Sequence, residues 1–416
     1  MHNRVPPDFL VLTLLSLLSF AGPADAADEK PATEDAHKVN LLTGEGISLG
    51  KIFSPEVNFQ TAFGTSTARD PASLAVGHHD PDRKGFTFQN IEFSLGAQFT
   101  PKIFAFATYA TKIDLDDHWV DEFEEYYALF SGLPLDVTLK GGRFYMRFGY
   151  QNSLHPHEFT FIDQYLMSGR VIGDDSLTIY GGEISIPVLR HMPKGWRDRL
   201  TVSLGAVPNP KPEDPATTTE MGPVFETEGA LFHDWAVTAD YTISRAATAT
   251  SVWEAGASFI AGGNRYGRHT QVYGVHFDVS RGADVAEKKC GQCNTGASLR
   301  WRTELAVRHF GAVGDDGGTP VRDTFTDFGG YSTVSYGFPG GAVEASLRGE
   351  YVTGVAKAGL PERWRISPAI AWRPSAKVPI RFKVQYNYDH SRAFGAEHSV
   401  WAQFNFKWGE ACLHED

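Results

Sequence analysis

The sequence has few cysteines, has fewer basic than acidic residues, and after residue 21 has no long apolar run. Three cysteines among 416 residues are too few for a fold built on disulfide bonds. The formal net charge of −12 argues against nucleic-acid binding as the main role. A membrane-spanning helix needs about 20 consecutive apolar residues, and residues 27–416 contain no such run. The chain is therefore neither a disulfide scaffold nor a bundle of membrane-spanning helices.

The N-terminus predicts export from the cytoplasm. Arg4 precedes an apolar stretch, residues 9–21, and Ala24 and Ala26 complete an A-x-A cleavage pattern. The apolar stretch is shorter than a spanning helix requires. We therefore expect a signal peptide over residues 1–26, with an uncleaved membrane anchor as the alternative.

What the sequence does contain is alternation of apolar and polar residues. In IRFKVQYNYD (380–389), Phe382 lies on one face while Arg381 and Lys383 lie on the other, and SVWAQFNFKW (399–408) repeats the pattern. Period-two alternation predicts β-strands with one apolar and one polar face. Soluble β-sandwiches rarely have strands this long, whereas membrane barrels use strands of about 9–11 residues.

These segments predict an all-β fold, a transmembrane antiparallel β-barrel. We expect about 16 strands, within a range of about 14–18, joined by short periplasmic turns and long extracellular loops. Trp253, Trp372 and Trp408 lie at segment ends, where aromatic girdles of such barrels are expected. The twelfth strand is predicted to begin near Phe328 and the last near His398.

A barrel of this kind belongs in a bacterial outer membrane. We expect it to occupy residues 55–409, after a periplasmic leader over residues 27–54 and before a C-terminal tail over residues 410–416. Its expected partners are outer-membrane lipid, lipopolysaccharide and small solutes, and no nucleic acid.

Five strands from residue 297 onward would line the lumen with their polar faces, on which bases outnumber acids: 297–309, 343–353, 363–373, 380–389 and 398–408. A stripe of cations along a water-filled pore lowers the barrier to anions, so we predict anion preference; pairing of these bases with acids is the alternative. The predicted pore-lining bases are Arg300, Arg302, Arg308, Arg348, Arg363, Arg365, Arg381, Lys383 and Lys407.

The fourth strand, VDEFEEYYALF, adds Glu122 and Glu124 to the predicted lumen wall. This assignment holds if Phe123 and Tyr127 face lipid. Glu125 does not fit the alternation. Opposed acidic and basic walls would place a transverse field across the pore.

Two stretches resemble Gram-negative outer-membrane porins. They are GFTFQNIEFSLGAQFTP (85–101) and LKGGRFYMRFGYQN (139–152), the second followed by a histidine-containing loop. The chain is similar in this respect to the phosphate-selective O/P-type porins and to plug-less barrels labelled TonB-dependent or zinc-regulated receptors. The resemblance implies a loop that folds into the barrel after the fifth strand, and a homotrimer, which is common among general porins. Residues 27–54 are too short for the plug of an energised receptor.

Histidine and acidic side chains are neighbours in two polar loops. His155, His157, Glu158 and Asp163 follow the fifth strand, and we expect them to belong to a loop that constricts the pore. Coordination of a metal by His155 and His157 is one alternative, and a solvated surface loop is another. The first loop, VGHHDPDRKG (76–85), offers further ligands for a divalent cation, or for Ca²⁺ that bridges lipopolysaccharide.

The cysteines and the hydroxyl groups complete the candidates. Cys290 and Cys293 in EKKCGQCNTG predict a local disulfide in an exported chain, with a zinc site that includes Cys412 as the alternative. Ser153 lies near His155, but no nucleophile elbow or other catalytic signature accompanies it. We therefore predict that the protein is not an enzyme.

Taken as a sequence, the chain is expected to be an outer-membrane channel for passive diffusion of small anionic solutes. Selectivity would come from the basic lumen wall and the infolded loop. No cofactor is expected, although the histidine loops leave a divalent cation open. The alternative is a barrel for metal or siderophore uptake, similar to TonB-dependent receptors, that uses the histidine and aspartate loops.

Overall fold

The structure is a computed structural model that describes most of the chain after residue 51. The described residues are 52–114, 118–173, 176–189, 191–208, 231–248, 250–282, 298–375 and 378–411. The predicted signal peptide, almost all of the predicted leader, and Cys290, Cys293 and Cys412 lie outside them.

Sixteen antiparallel strands in the described residues form one closed barrel, which confirms the predicted fold and strand number. The strands are β1 Phe53–Ser66, β2 Gly85–Thr100, β3 Ile103–Ile113, β4 Trp119–Leu133, β5 Val137–Tyr145, β6 Thr178–Ile186, β7 Trp196–Ala206, β8 Phe232–Thr248, β9 Ser251–Asn264, β10 His269–Gly282, β11 Ser298–Asp315, β12 Pro320–Gly337, β13 Val343–Val352, β14 Arg363–Trp372, β15 Ile380–Ser391 and β16 Gly395–Gly409.

The first and last strands close the barrel. β1 pairs with β16 from Glu56 opposite Gly409 to Ser66 opposite Ser399. Each strand thus has two hydrogen-bonded neighbours, and closure removes the free edges that promote aggregation of open sheets. We call the end that carries the turn at residues 101–102 the turn end, and the end that carries the β1–β2 connection the loop end.

The outward face of the wall is apolar and the inward face is polar. Leu347 and Val384 are exposed on the outside, while their neighbours Arg348 and Lys383 are buried inside. A soluble protein would turn these faces the other way, because exposed apolar surface is unfavourable in water. An apolar outer band around a polar interior is the arrangement of a barrel surrounded by lipid.

The predicted start of the twelfth strand is wrong, and the first strand begins two residues before the expected start of the barrel at residue 55. β1 begins at Phe53, inside the segment expected to be a leader, because Phe53 already pairs with Ala97 of β2. β12 begins at Pro320 and not near Phe328, because the β11–β12 hairpin continues to the pair Asp315–Pro320. The β12 error hid one lumen acid, as described below.

A β-bulge in β4 explains the position of Glu125. The β3–β4 register shifts after Thr108, which pairs with Glu125, and Glu124 is the extra residue. Both glutamates therefore point into the barrel, where both are buried. The bulge also reverses the facing of later residues, so the expectation that Tyr127 faces lipid is wrong. Its ring packs against Phe144 in the interior, with 6.5 Å between the ring centroids.

The connection between β5 and β6, residues 146–177, carries the one α-helix of the described chain and is called the lumen loop. It contains short 3₁₀ turns at Gln151–Ser153 and Pro156–Glu158, and α1 at Leu166–Val171. The loop and adjoining strand residues form a buried apolar cluster with wall residues such as Tyr331. The core of this protein therefore lies inside the barrel.

None of the helices in the described residues is long and apolar enough to span a membrane.

Candidate functional site

The start of the lumen loop is bound to β11 through a single carboxylate. Glu304 Oε1 accepts hydrogen bonds from the backbone N–H groups of Tyr150 (2.8 Å) and Gln151 (3.1 Å). The hydroxyl of Tyr331 donates to the same oxygen at 2.5 Å. Three donors on one buried acceptor fix the point where the chain leaves the wall and enters the lumen.

The predicted constriction residue His155 lies between two glutamates of the bulged strand. Its Nδ1 is 2.9 Å from Glu124 Oε2 and its Nε2 is 2.9 Å from Glu125 Oε2. Burial opposes charge on the imidazole, but hydrogen bonds to the two carboxylates outweigh burial and raise the pKa of His155 well above its usual value. The bulge that places both glutamates on one face is thus what creates this site.

The second histidine of the loop lies against β2 and β1. His157 stacks on His155 with ring centroids 5.6 Å apart, and its Nδ1 hydrogen-bonds to Glu92. Its Nε2 lies 3.6 Å from Glu56. Burial opposes the charge here as well, but the nearby Glu92 carboxylate raises the pKa of His157. The predicted residue Glu158 accepts from the backbone N–H of His155 at 3.0 Å and closes the turn.

Asp163 anchors the middle of the lumen loop to the opposite wall. Its carboxylate accepts from Arg348 (2.5 Å) and Arg365 (3.0 Å), and also from Gln385 and Asn387 (2.7 Å each). Burial alone would raise the pKa of Asp163, but the two guanidinium groups and the amides lower it below its usual value. The predicted loop residue and the predicted basic wall therefore form one network.

Further hydrogen bonds on either side of Asp163 bind the lumen loop to the wall. The backbone N–H of Leu166 donates to Glu350 at 2.8 Å, and Lys383 Nζ donates to the carbonyl oxygen of Phe159 at 2.6 Å. Arg170 donates to the carbonyl oxygens of Thr353 (2.9 Å) and Pro361 (2.7 Å). Burial lowers the pKa of Arg170 to about 10. The loop is thus held against both sides of the interior.

The β1–β2 connection covers the lumen loop at the loop end. Asp80 accepts hydrogen bonds from the backbone N–H groups of Val76 (2.8 Å), Gly77 (2.9 Å) and Gln164 (2.7 Å). Burial, with a smaller effect from Asp163, raises the pKa of Asp80 to about 6. The two loops that the sequence singles out for histidine and acid therefore meet inside the barrel.

The predicted pore-lining arginines all face the interior, and each has an acidic partner. These pairs are Arg300 and Arg302 with Asp278, Arg308 with Asp327, Arg348 with Asp163 and Glu350, Arg363 with Asp389, and Arg365 with Asp163 and Asp389. Further pairs are Arg381 with Glu344, Lys407 with Glu56, and Arg143 with the predicted Glu122. Asp163, Asp278, Asp327 and Glu56, which lie outside the five strands of this wall, therefore offset part of its excess of base.

In some ion pairs the basic side chain is much more exposed to solvent than its acidic partner. The side chain of Arg300 is 38% exposed and that of Lys407 is 40% exposed, whereas their partners Asp278 and Glu56 are each 9% exposed. Both pairs lie near the turn end of their strands. In the lumen these two pairs thus present mainly the cation to solvent.

Asp278 and Asp327 are functional candidates that the sequence interpretation missed. Asp278 follows the alternation of β10, so the same period-two signal could have found it. Asp327 precedes Phe328, the predicted start of the twelfth strand, and was lost with that boundary. Asp163, although singled out, had no predicted partner, because a loop path cannot be derived from alternation.

The arrangement does not pair Ser153 with His155 as nucleophile and base. Ser153 Oγ donates to the carbonyl oxygen of Tyr150 at 3.3 Å, while both ring nitrogens of His155 contact glutamates. The interior offers ion pairs and buried hydrogen bonds, which can fix a loop and act on passing charges.

Comparison with known proteins gives a match in structure alone. No family model and no curated protein sequence matches the chain. The outer-membrane channel DcaP of Acinetobacter baumannii is 11% identical, with 88% of this chain and 100% of that chain covered and a TM-score of 0.53. OmpF of Salmonella typhi, in complex with daunomycin, is 9% identical, with coverages of 86% and 97% and a TM-score of 0.51. The chain therefore has the fold of the outer-membrane porins.

Proposed function

We propose that this protein is an outer-membrane channel for small solutes and that the lumen loop sets its aperture. The observation that carries the proposal is the closed 16-stranded barrel, apolar outside and charged inside, with residues 146–177 folded into it. A barrel of this size is wide enough for an aqueous pore. A loop that is bound to several strands narrows that pore without closing it.

The proposed solute preference is a weak preference for anions. Arg147 and Asp240 repeat the unequal exposure of the turn-end pairs, with 41% for the cation and 1% for the acid. Glu122 and Glu344 are more exposed than their arginine partners and act in the opposite sense. The cation is the more exposed member in three ion pairs, and the acid is the more exposed member in two. This difference favours the passage of anions only slightly.

Planar-bilayer recordings of the purified protein test both parts of this proposal. We expect stepwise conductance and, across a potassium chloride gradient, a reversal potential of the sign that chloride preference produces. Arg300→Gln and Lys407→Gln should each move the reversal potential toward cation preference. Lys357→Gln is the matched control, because Lys357 pairs with Asp316 in an exposed connection and both side chains are more than half exposed.

The outcomes separate the two parts. Absence of conductance from a correctly folded barrel would overturn the channel proposal. Conductance with cation preference would overturn only the proposed selectivity. The predicted homotrimer is tested on the same sample by native mass spectrometry in detergent, where monomer alone would contradict it.

A further inference from the structure

Three buried carboxylates in one part of the lumen have no basic side chain in contact with them. Glu92, Glu124 and Glu125 are 0%, 3% and 8% exposed. In the described part of the chain, their charged contacts are to the imidazoles of His79, His155 and His157 alone. By contrast, the buried acids Asp278, Asp327, Glu350 and Asp389 each contact an arginine. This set of three acids and three imidazoles is called the histidine–glutamate cluster.

The charge of this cluster needs a cation. A buried carboxylate without a counter-charge is strongly destabilising. Neutral imidazoles provide hydrogen bonds and no charge, so three ionised glutamates would leave three negative charges inside the barrel. Protons on the histidines, a proton on a carboxylate, or a bound metal ion can supply the compensation.

The donor atoms converge as a metal site requires. One ligand atom each from Glu92, Glu124 and His155 lies within 4.8 Å of the other two. Donors around an ion with bonds of about 2.1 Å lie about 3.4 Å apart, so a small rotation of these side chains would complete coordination. A set of carboxylate and imidazole donors suits Zn²⁺, whereas Ca²⁺ takes about 6–8 oxygen donors, more than are gathered here.

Neighbouring groups hydrogen-bond to the proposed ligands and orient them. His155 Nε2 is 2.9 Å from Glu125 Oε2, which leaves Nδ1, on the Glu124 side, for an ion. A carboxylate behind a ligating histidine orients the ring in this way. The amide of Asn90 donates to Glu92 Oε1. The other amide atom, Asn90 Oδ1, is buried and has no hydrogen-bond partner among the described residues.

There is space for further ligands beside Glu124. A cavity of about 20 Å³ is lined by His78, His79, Asp80 and Glu124, among others, which is enough for a water molecule. His79 Nε2 lies 3.7 Å from Glu124 Oε1. A water in this cavity or the imidazole of His79 can therefore fill the fourth position of a tetrahedral site.

We propose that Glu92, Glu124 and His155 bind one divalent transition-metal ion of the zinc class. On binding, a bond forms between the ion and His155 Nδ1, and any proton held on that nitrogen leaves to solvent. The ion joins the lumen loop to β2 and β4. This site differs from the pair His155 and His157 that the sequence suggests, because the converging ligand atoms belong to Glu92, Glu124 and His155 and not to His157.

The test uses the full-length barrel in detergent micelles, stripped with EDTA and then titrated with Zn²⁺ by calorimetry. We expect one Zn²⁺ per chain, and Co²⁺ should give the visible absorption of a tetrahedral site. Glu92→Gln and Glu124→Gln keep side-chain shape and should each weaken binding about 100-fold, at the upper end of the losses known for groups around metals. Glu183→Gln is the control, because Glu183 is an interior acid paired with Lys140 at 3.1 Å.

Absence of Zn²⁺ uptake by the folded barrel would overturn the proposal and leave protons on the histidines or carboxylates as the compensation. Equal affinity of the wild type and both glutamine variants would also overturn it. Folding of each variant is checked by the shift in gel mobility on heating. Metal content is measured independently of conductance, so the metal site and the channel proposal can fail separately.

Discussion

Replacement of Asp163 by asparagine tests whether buried ion pairs hold the lumen loop in the barrel. Asp163 receives guanidinium hydrogen bonds from Arg348 and Arg365. The change removes the charge and keeps the shape of the side chain. Both arginines keep a second acid, since Glu350 lies 3.0 Å from Arg348 and Asp389 lies 2.8 Å from Arg365.

The magnitude follows from these contacts. Removal of one partner of a buried ion pair costs about 3–5 kcal/mol. Because second acids remain and asparagine still accepts hydrogen bonds, we expect the lower value, about 3 kcal/mol for opening of the loop. At about 1.36 kcal/mol for each factor of ten, this is roughly a 100-fold increase in the population of the open loop.

Amide hydrogen exchange in micelles, read by NMR, measures that population directly. The reporters are three loop amides that donate to other elements: Ile162 to Gln385 (2.6 Å), Gln164 to Asp80 (2.7 Å) and Leu166 to Glu350 (2.8 Å). Their exchange should accelerate about 100-fold in Asp163→Asn, because exchange requires the loop to open. Backbone amides within β13–β15 should keep their rates.

Asp136→Asn is the matched control. Asp136 pairs with Arg199 at 2.7 Å, but their side chains are exposed, and exposed pairs contribute at most about 1 kcal/mol. Its φ of 56° is also tolerated by asparagine. Unchanged loop exchange in Asp163→Asn, or equal acceleration in the control, would refute the reasoning. Equal acceleration of the strand amides would show that the whole barrel, and not the loop, had been destabilised.

Two further predictions concern acid and backbone geometry. Because the pKa of Asp163 is lowered in the folded protein, its contribution to stability is present above the usual aspartate pKa of 3.8 and decreases as the pH falls below that value. In thermal unfolding from pH 6 to 2, the stability of the wild type should therefore fall more steeply with acid than that of Asp163→Asn. Parallel curves for the two proteins would contradict this. Gly142→Ala should destabilise the barrel by about 1–3 kcal/mol or more, since φ is +141° and a Cβ would lie 2.2 Å from the carbonyl oxygen of Tyr126. Gly141→Ala, whose Cβ would meet nothing closer than 3.9 Å, should change the urea midpoint little, and equal losses in the two variants would contradict the assignment.

The strands could be predicted because alternation is a local property. In β15 the residues Phe382 and Val384 had to face away from Lys383, since neighbouring side chains of a strand point to opposite sides. Length near ten residues and aromatic ends then separated a membrane barrel from a soluble sandwich. The error at β4 has the same origin, because one extra residue at Glu124 reverses the alternation and no local pattern announces it.

The chain by itself determined the strands, the interior position of the arginines and the presence of a polar loop after β5. The tertiary structure decided what those arginines do. Asp163 and Arg348 are 185 residues apart in sequence, and only the path of the lumen loop brings them to 2.5 Å. In the same way, the bulge in β4 and the return of the loop place His155 between Glu124 and Glu125. The side of the wall to which a side chain points depends on its neighbours in sequence, whereas charge pairing depends on which elements meet in space. For this reason, a wall with an excess of bases in the sequence is largely neutralised in the barrel.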